Sequence, residues 1–225
     1  MKQLLLAAVV ASAISSTALA ADASMYEDIA QAAHDWSGSY FGLQIGGGFG
    51  DSRHTDTAGA TTGDFDIDGV IGGYTTGYNW QSGNLVFGLE GDTSLSDLEG
   101  STTVACPGVC YSEVNWLSTY RVRLGWAMDR FLPYVTGGVA LGGVKAGQVT
   151  GGFRTSKTRA GWAAGGGLEV ALSDLWSAKV EYLHADLGDA TYTVAIPVEA
   201  DFSDIDIVRV GVNRKFDIFG YLGLR

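Results

Sequence analysis

One long segment alternates between apolar and polar residues, and this alternation constrains the fold more than any other feature of the chain. In residues 113–128, every second residue from Val114 onward is mostly large and apolar, and Trp116 and Trp126 stand near the two ends of that face. The residues between them are mostly small or polar. Because a period of two is the period of a β-strand, the segment predicts a strand of sixteen residues, well beyond the usual length of about five or six.

The length and the aromatic ends of this strand favour a bilayer over a soluble core. A soluble sandwich also alternates, but long strands with aromatic residues near the ends of the apolar face are typical of strands that cross a membrane. The pattern recurs in seven further segments, at about 36–50, 68–81, 85–96, 131–145, 157–172, 175–188 and 203–216. No run of 18 apolar residues follows the N-terminal region, which argues against a helical membrane protein.

The connections between the eight strands alternate in length. Short turns are predicted at 82–84, 129–130 and 173–174, and long loops at 51–67, 97–112, 146–156 and 189–202. Outer-membrane barrels have short periplasmic turns and long external loops, and closure removes the edges that an open sheet would leave unpaired in lipid. We therefore expect an all-β protein, an eight-stranded antiparallel up-and-down transmembrane β-barrel.

The N-terminus predicts secretion. Lys2 supplies a positive charge, residues 4–14 are apolar, and Ala18, Leu19 and Ala20 form a small-x-small cleavage site. The apolar stretch is too short to span a bilayer comfortably as a helix. We expect residues 1–20 to be a signal peptide that is cleaved between Ala20 and Ala21.

The remaining chain divides into three predicted parts. Residues 21–35 form a short periplasmic N-terminal segment, residues 36–216 form the barrel, and residues 217–225 form a C-terminal tail. Cys106 and Cys110 flank a Pro-Gly turn in the second long loop, and we expect them to form a local disulfide in an oxidising compartment. Two cysteines without a nearby histidine make a poor zinc site, and no metal or cofactor is expected.

The net charge of −11 makes nucleic acid an unsuitable partner, since binding it requires a basic patch. Many of the acids fall in predicted loops, where they can keep the loops solvated or attract divalent cations. These acids are Asp64, Asp66, Asp68, Glu199, Asp201, Asp204 and Asp206.

Several short stretches carry a resemblance to a known family. They are residues 36–43, 77–81, 88–92, 132–140 and 208–213. Together they resemble the small outer-membrane β-barrel family, and the chain is similar to the opacity-type surface antigens and to the OmpA-like transmembrane domain, whose relatives are often labelled porins. The resemblance covers nearly all of the mature chain. It implies a location in the outer membrane and a structural, surface-exposed role of the antigen or adhesion type.

The resemblance also implies partners. They are outer-membrane lipid and lipopolysaccharide, the barrel-assembly machinery, and a host or environmental surface ligand that the loops do not identify. In the family the chain usually ends on an aromatic residue that the assembly machinery recognises, and Phe216 fits that position. Arg214 stands two residues before it, where the family has an aromatic residue, and nine further residues follow.

The inward faces of the predicted strands carry the candidate functional residues. Four bases and four acids share the lumen: Arg121, Arg123, Lys179, Arg209, Glu90, Asp92, Glu169 and Glu181. Eight strands leave an interior only wide enough for side chains, so we expect a neutral, hydrogen-bonded plug. The alternative is a narrow ion channel or small porin lined by the same groups.

A lipid-modifying enzyme is the third and least favoured reading. Acyl-ester chemistry needs a nucleophile, a base and an orienting acid. A lipid deacylase of this architecture is expected to carry a histidine with a nearby serine on one strand, but His184 is followed two residues later by Asp186. We therefore expect no enzymatic activity and no catalytic residues.

Overall fold

The strands of this protein close into a ring. A computed structural model describes residues 34–56, 59–106, 108–148, 153–193 and 197–216. In chain order the strands are β1 (Gly38–Asp56), β2 (Thr61–Ser82), β3 (Leu85–Thr102), β4 (Cys110–Trp126), β5 (Phe131–Gln148), β6 (Phe153–Ala171), β7 (Trp176–Asp186), β8 (Asp189–Thr193) and β9 (Pro197–Phe216).

Eight of these strands form the barrel. Each strand from β1 to β7 pairs antiparallel with the next, β7 pairs with β9, and β9 pairs with β1 to close the ring. The short strand β8 pairs with the first five residues of β9 and is an addition to the ring. The eight-stranded antiparallel barrel predicted from the sequence is therefore confirmed. Among the described residues, no helix has the length and apolar character needed to cross a membrane.

Three of the predicted parts fall outside this description. The signal peptide at 1–20 with its cleavage site at Ala20 and Ala21, most of the segment 21–35, and the tail 217–225 lie outside the described residues.

A band of exposed apolar side chains surrounds the part of the barrel nearer the short turns. It includes Leu43 and Ile45 on β1, Phe87 and Leu89 on β3, Val122 and Leu124 on β4, Val180 on β7, and Val208, Val210 and Val212 on β9. On β4 the outward face of the band runs from Trp116, which is half-buried, to Trp126, which is exposed. Those ten or so residues rise about 25 Å at ~3.3 Å per residue and a tilt of ~40°, which is the height of the apolar band in outer-membrane barrels.

Beyond the band, towards the tips of the long hairpins, the outward face of the wall becomes polar and the inward face becomes apolar. On β2, Asp64, Asp66 and Asp68 are exposed, while Phe65 and Ile67 between them are buried in the lumen. The strands therefore continue as the wall of a water-soluble barrel where the bilayer ends.

This continuation corrects the predicted loops. The long loops predicted at 51–67, 97–112 and 146–156 are largely strand, because β1 extends to Asp56, β3 to Thr102 and β5 to Gln148, and the following strands begin at Thr61, Cys110 and Phe153. In the fourth, predicted at 189–202, residues 189–193 belong to β8 and residues 197–202 to β9. The acids that were assigned to loops lie on strands, because acidic and apolar residues alternate with the strand period there.

Two local assignments from the sequence were also wrong. The pairing of β4 with β5 shifts register between Val114 and Trp116, so Asn115 is an extra residue that turns Val114 into the lumen rather than outward. The sequence predicts that the first strand begins at about Trp36, whereas β1 begins at Gly38 and Trp36 is buried at the short-turn end of the lumen.

Candidate functional site

The middle of the lumen holds the eight charged side chains. Each lies on the inward face of its strand and is only 1–3% exposed. They are Glu90 and Asp92 on β3, Arg121 and Arg123 on β4, Glu169 on β6, Lys179 and Glu181 on β7, and Arg209 on β9. Four positive and four negative groups give the cluster a formal charge of zero.

Arg121 binds two acids of the adjacent strand β3 and one acid of β7 on another side of the lumen. It stands directly opposite Glu90 in the pairing of β3 with β4. Its Nη2 lies 2.6 Å from Glu90 Oε1 and 2.8 Å from Asp92 Oδ2, and its Nη1 lies 3.2 Å from Glu181 Oε1. One guanidinium is therefore paired with three carboxylates.

Arg209 crosses the lumen from β9. Its Nη1 and Nη2 each donate to one carboxylate oxygen of Asp92, both at 3.0 Å, which is the bidentate geometry that favours an arginine–carboxylate pair. Its Nη2 also lies 2.5 Å from Oε1 of Glu181, its partner on the adjacent strand. Asp92 and Glu181 are thus shared by Arg121 and Arg209, and side chains bridge the space between β3 and β9.

The remaining bases complete the network towards the short turns. Arg123 pairs with Glu169, and its guanidinium lies 3.7 Å from the centre of the Tyr134 ring. Lys179 Nζ lies 3.1 Å from Glu90 Oε2. Each carboxylate therefore has at least one cationic neighbour, which is the condition under which buried charges persist.

Neutral side chains occupy further acceptor positions on the carboxylates. The hydroxyl groups of Tyr40 and Tyr134 donate to Glu90 and Glu181, each at 2.8 Å. The Tyr40 ring lies across Gly77, where an added Cβ would come within 2.4 Å of the hydroxyl oxygen, so a side chain at that position would displace it. Tyr134 is not among the residues predicted from the sequence. Its place on the inward face of β5, which it shares with Thr136, follows from the strand period of two.

One apolar layer lies on each side of the charge network. The layer towards the tips includes Phe65, Ile67, Ile71, Leu98, Leu117, Val144, Leu183, Leu187, Ile205 and Ile207. The layer at the short-turn end consists of Trp36, Val86, Ala127, Leu132 and Ala171. The backbone N–H of Trp36 donates to Gln81 Oε1 at 2.7 Å, which fixes the indole beneath the barrel. Within the described residues, the lumen is filled by three successive layers of side chains.

A small polar cluster lies at the outer edge of the tip-side layer, beside Phe65 and outside the apolar band. The Nε2 of His54 lies 2.9 Å from Ser112 Oγ, and Ser52 Oγ lies 2.9 Å from the same oxygen. His54 is only 6% exposed, and this burial lowers the pKa of its imidazole to about 4. Near the same end of the barrel, Cys106 and Cys110 form a disulfide in the tip between β3 and β4.

The other residues singled out from the sequence lie on the outer surface. His184 Nδ1 lies 2.9 Å from Asp206 Oδ1 at the tip side of the apolar band. Phe216 is the last residue of β9 and is exposed. Arg214 lies next to Trp176, with 5.8 Å between the guanidinium carbon and the centre of the indole ring.

Comparison with known proteins gives consistent similarities. Residues 6–216 match the family described as outer membrane protein beta-barrel domain. The 31 kDa outer-membrane immunogenic protein of Brucella melitensis is 34% identical over 96% of this chain and all of its own length. The 22 kDa outer membrane protein of Rhizobium leguminosarum bv. viciae is 31% identical over 82% of this chain and 80% of its own. The outer membrane protein OprG of Pseudomonas aeruginosa shares the fold, with a TM-score of 0.51 and 14% identity over 80% of this chain and 97% of its own.

Proposed function

Since this chain belongs to the outer membrane β-barrel family, we propose that it is a surface-exposed structural component of the cell envelope rather than a pore or an enzyme. The protein resides in the outer membrane. The observation that carries the proposal is the filling of the lumen by two apolar layers and a neutral charge network. A barrel filled in this way is a rigid anchor, and its functional surface is what it displays beyond the bilayer.

The displayed surface is the wall beyond the apolar band together with its tips. Its outward acids, Asp64, Asp66 and Asp68 among them, keep it solvated outside the lipid. The names of the Brucella relatives, outer-membrane immunogenic proteins, support exposure of this surface to the environment. In this proposal lipopolysaccharide surrounds the tip side of the band, the assembly machinery recognises the end of β9 at Phe216, and a surface ligand binds the tips.

Thiol labelling of intact cells tests this orientation. Two single substitutions, Ala60→Cys in the β1–β2 tip and Asp174→Cys in the short turn between β6 and β7, place thiols at exposed positions at opposite ends of the barrel. A membrane-impermeant maleimide should label position 60 on intact cells and position 174 only after lysis. The unsubstituted protein is the control, because its two cysteines are joined to each other. Labelling of position 174 but not 60 on intact cells would contradict the proposal.

A narrow channel is the second candidate, and the line of buried charges is the observation that favours it. The apolar layers on both sides of those charges oppose it, because a dry layer of side chains leaves no hydrated path for an ion. Catalysis has less support. His54 and Ser112 have the spacing of a base and a nucleophile, but both are buried, and a substrate cannot reach the serine in this arrangement.

A further inference from the structure

A groove runs along the outer surface of the apolar band between β1 and β6. Its volume is about 890 Å³. In the middle of the groove Leu43 of β1 pairs with Val212 of β9, which in turn pairs with Ala178 of β7. Ala178 has the shortest side chain of this row and lies between Val212 of β9 and Val170 of β6. The longer side chains of Leu43 and of Leu168, which pairs with Val180, also line the groove. The depression therefore follows from the sizes of the outward residues on four adjacent strands.

A cationic group marks the short-turn end of the groove. Arg214 lies on the outward face of β9 and is exposed, and it pairs in register with Trp176. The next residue, Lys215, is engaged elsewhere, since its Nζ donates to the backbone oxygen of Asp35. Aromatic residues at the short-turn side, including Trp80 and Trp126, place this level at the boundary between hydrocarbon and headgroups.

We propose that this groove binds one anionic phospholipid, with its phosphate on Arg214 and Trp176 and an acyl chain along the groove. The charge of the guanidinium complements the phosphate, and the indole is suited to the headgroup level. The lining from Arg214 to Val210 spans about 13 Å along the strand at ~3.3 Å per residue, which at a tilt of ~40° is about 10 Å along the membrane normal. The ~15 Å thickness of hydrocarbon in one leaflet therefore contains the whole groove, and the groove can hold the part of an acyl chain nearest its headgroup.

The position selects a phospholipid over lipopolysaccharide. The short-turn end faces the periplasm in the orientation proposed above, whereas lipopolysaccharide lies in the leaflet on the tip side. Only the assignment of the groove to the periplasmic leaflet depends on the proposed orientation of the barrel. Lipid binding to the groove is measured on purified protein, so it can be tested even if the thiol-labelling experiment contradicts that orientation.

Native mass spectrometry of the purified full chain tests the site. The protein is stripped of lipid in a non-ionic detergent and then offered phosphatidylglycerol or phosphatidylethanolamine at equal concentration. We expect one phosphatidylglycerol to be retained in preference to phosphatidylethanolamine. Arg214→Tyr, which restores an aromatic residue at this position, should weaken retention of phosphatidylglycerol about tenfold, because a charge-assisted hydrogen bond contributes on that order. Arg214→Lys should keep most of the binding.

A matched pair of substitutions tests the acyl-chain groove. Val212 lines the groove and is 45% exposed, whereas Val122 on β4 is 46% exposed on a strand that does not line it. Val212→Phe should fill the groove and reduce retention, and Val122→Phe should leave it unchanged. Heat-modifiable migration on gels establishes that each variant is folded before it is compared.

Four results would overturn the proposal. The first is equal retention of the two lipids by the unsubstituted protein. The second is undiminished retention of phosphatidylglycerol by folded Arg214→Tyr, and the third is an equal loss of retention in both phenylalanine variants. The fourth is a dimer that persists in the presence of lipid and is lost in Val212→Phe, which would identify a second copy of the chain as the occupant.

Discussion

At the scale of single residues, the molecule depends on the pairing of charges that have no access to water. Arg121 and Arg209 share Asp92 and Glu181, so none of these groups can be removed without leaving another buried charge underpaired. The desolvation of such groups is costly, and their mutual attraction offsets it only when every member is present. The network therefore makes each of its members necessary for stability, whatever the net contribution of the whole.

Arg121→Ala should lower the free energy of unfolding by about 3–5 kcal/mol, because Glu90, Asp92 and Glu181 would lose a cation inside the barrel. Arg53→Ala is the control. Arg53 also contacts a carboxylate at 2.6 Å, that of Asp64, but the two side chains are 50% and 56% exposed. The control should change stability by less than about 1 kcal/mol. Urea unfolding in micelles, followed by tryptophan fluorescence, measures both, and equal losses would contradict the buried network.

At the scale of strands, the exchange of polarity along β2 defines where the bilayer ends. Phe65 and Ile67 share the inward face with Gly73 and Thr75, so the alternation that predicts the membrane strand continues without interruption into the acidic segment. The acids of this segment predict a loop when they are read alone, but the apolar residues between them keep the period of two and face the lumen.

Other features of the strands could not be predicted from one sequence. The inward placement of the eight charges follows from the period of two alone, but the contact of Arg209 with Asp92 joins residues 117 positions apart and depends on closure of the ring. The bulge at Asn115 depends on how β4 pairs with β5, which no local pattern specifies. The position of Trp36 beneath the barrel depends on a side-chain acceptor, Gln81, from another strand.

The protein should lose stability as the pH falls, because His54 is buried in its neutral form on the part of β1 that extends beyond the band. Its pKa falls from 6.5 to about 4 on burial, so the unfolded chain binds the proton more tightly than the folded one. The stability contributed by the neutral imidazole is complete above pH 6.5 and is lost as the pH falls from there to about 4, by up to about 3 kcal/mol.

His54→Gln provides the reference, because glutamine retains a hydrogen-bonding group and does not titrate. The free energy of unfolding of the unsubstituted protein should fall relative to that of His54→Gln between pH 7.5 and 4. Subtracting the two curves removes the titration of all groups that they share. Parallel curves over this range would show that His54 is not buried in its neutral form.

At the scale of the whole molecule, the barrel is filled along its described length. Trp36 and its apolar neighbours close the short-turn end, the charge network fills the middle, and Leu117, Leu183 and the other apolar residues fill the side towards the tips. Eight strands leave a lumen that side chains can fill, and this sequence supplies them in three layers. The account of the protein as an anchor rests on the closure of that lumen.

Single-channel recording in a planar bilayer tests this closure most directly. The purified full chain should show no steady conductance steps, because each layer independently blocks a hydrated path. Trp36→Ala, which opens only the short-turn layer, should be equally silent, since the charge network and the tip-side layer remain. A steady conductance of the unsubstituted protein, with an ion selectivity that changes in a folded Arg209→Gln variant, would contradict the account and establish a channel.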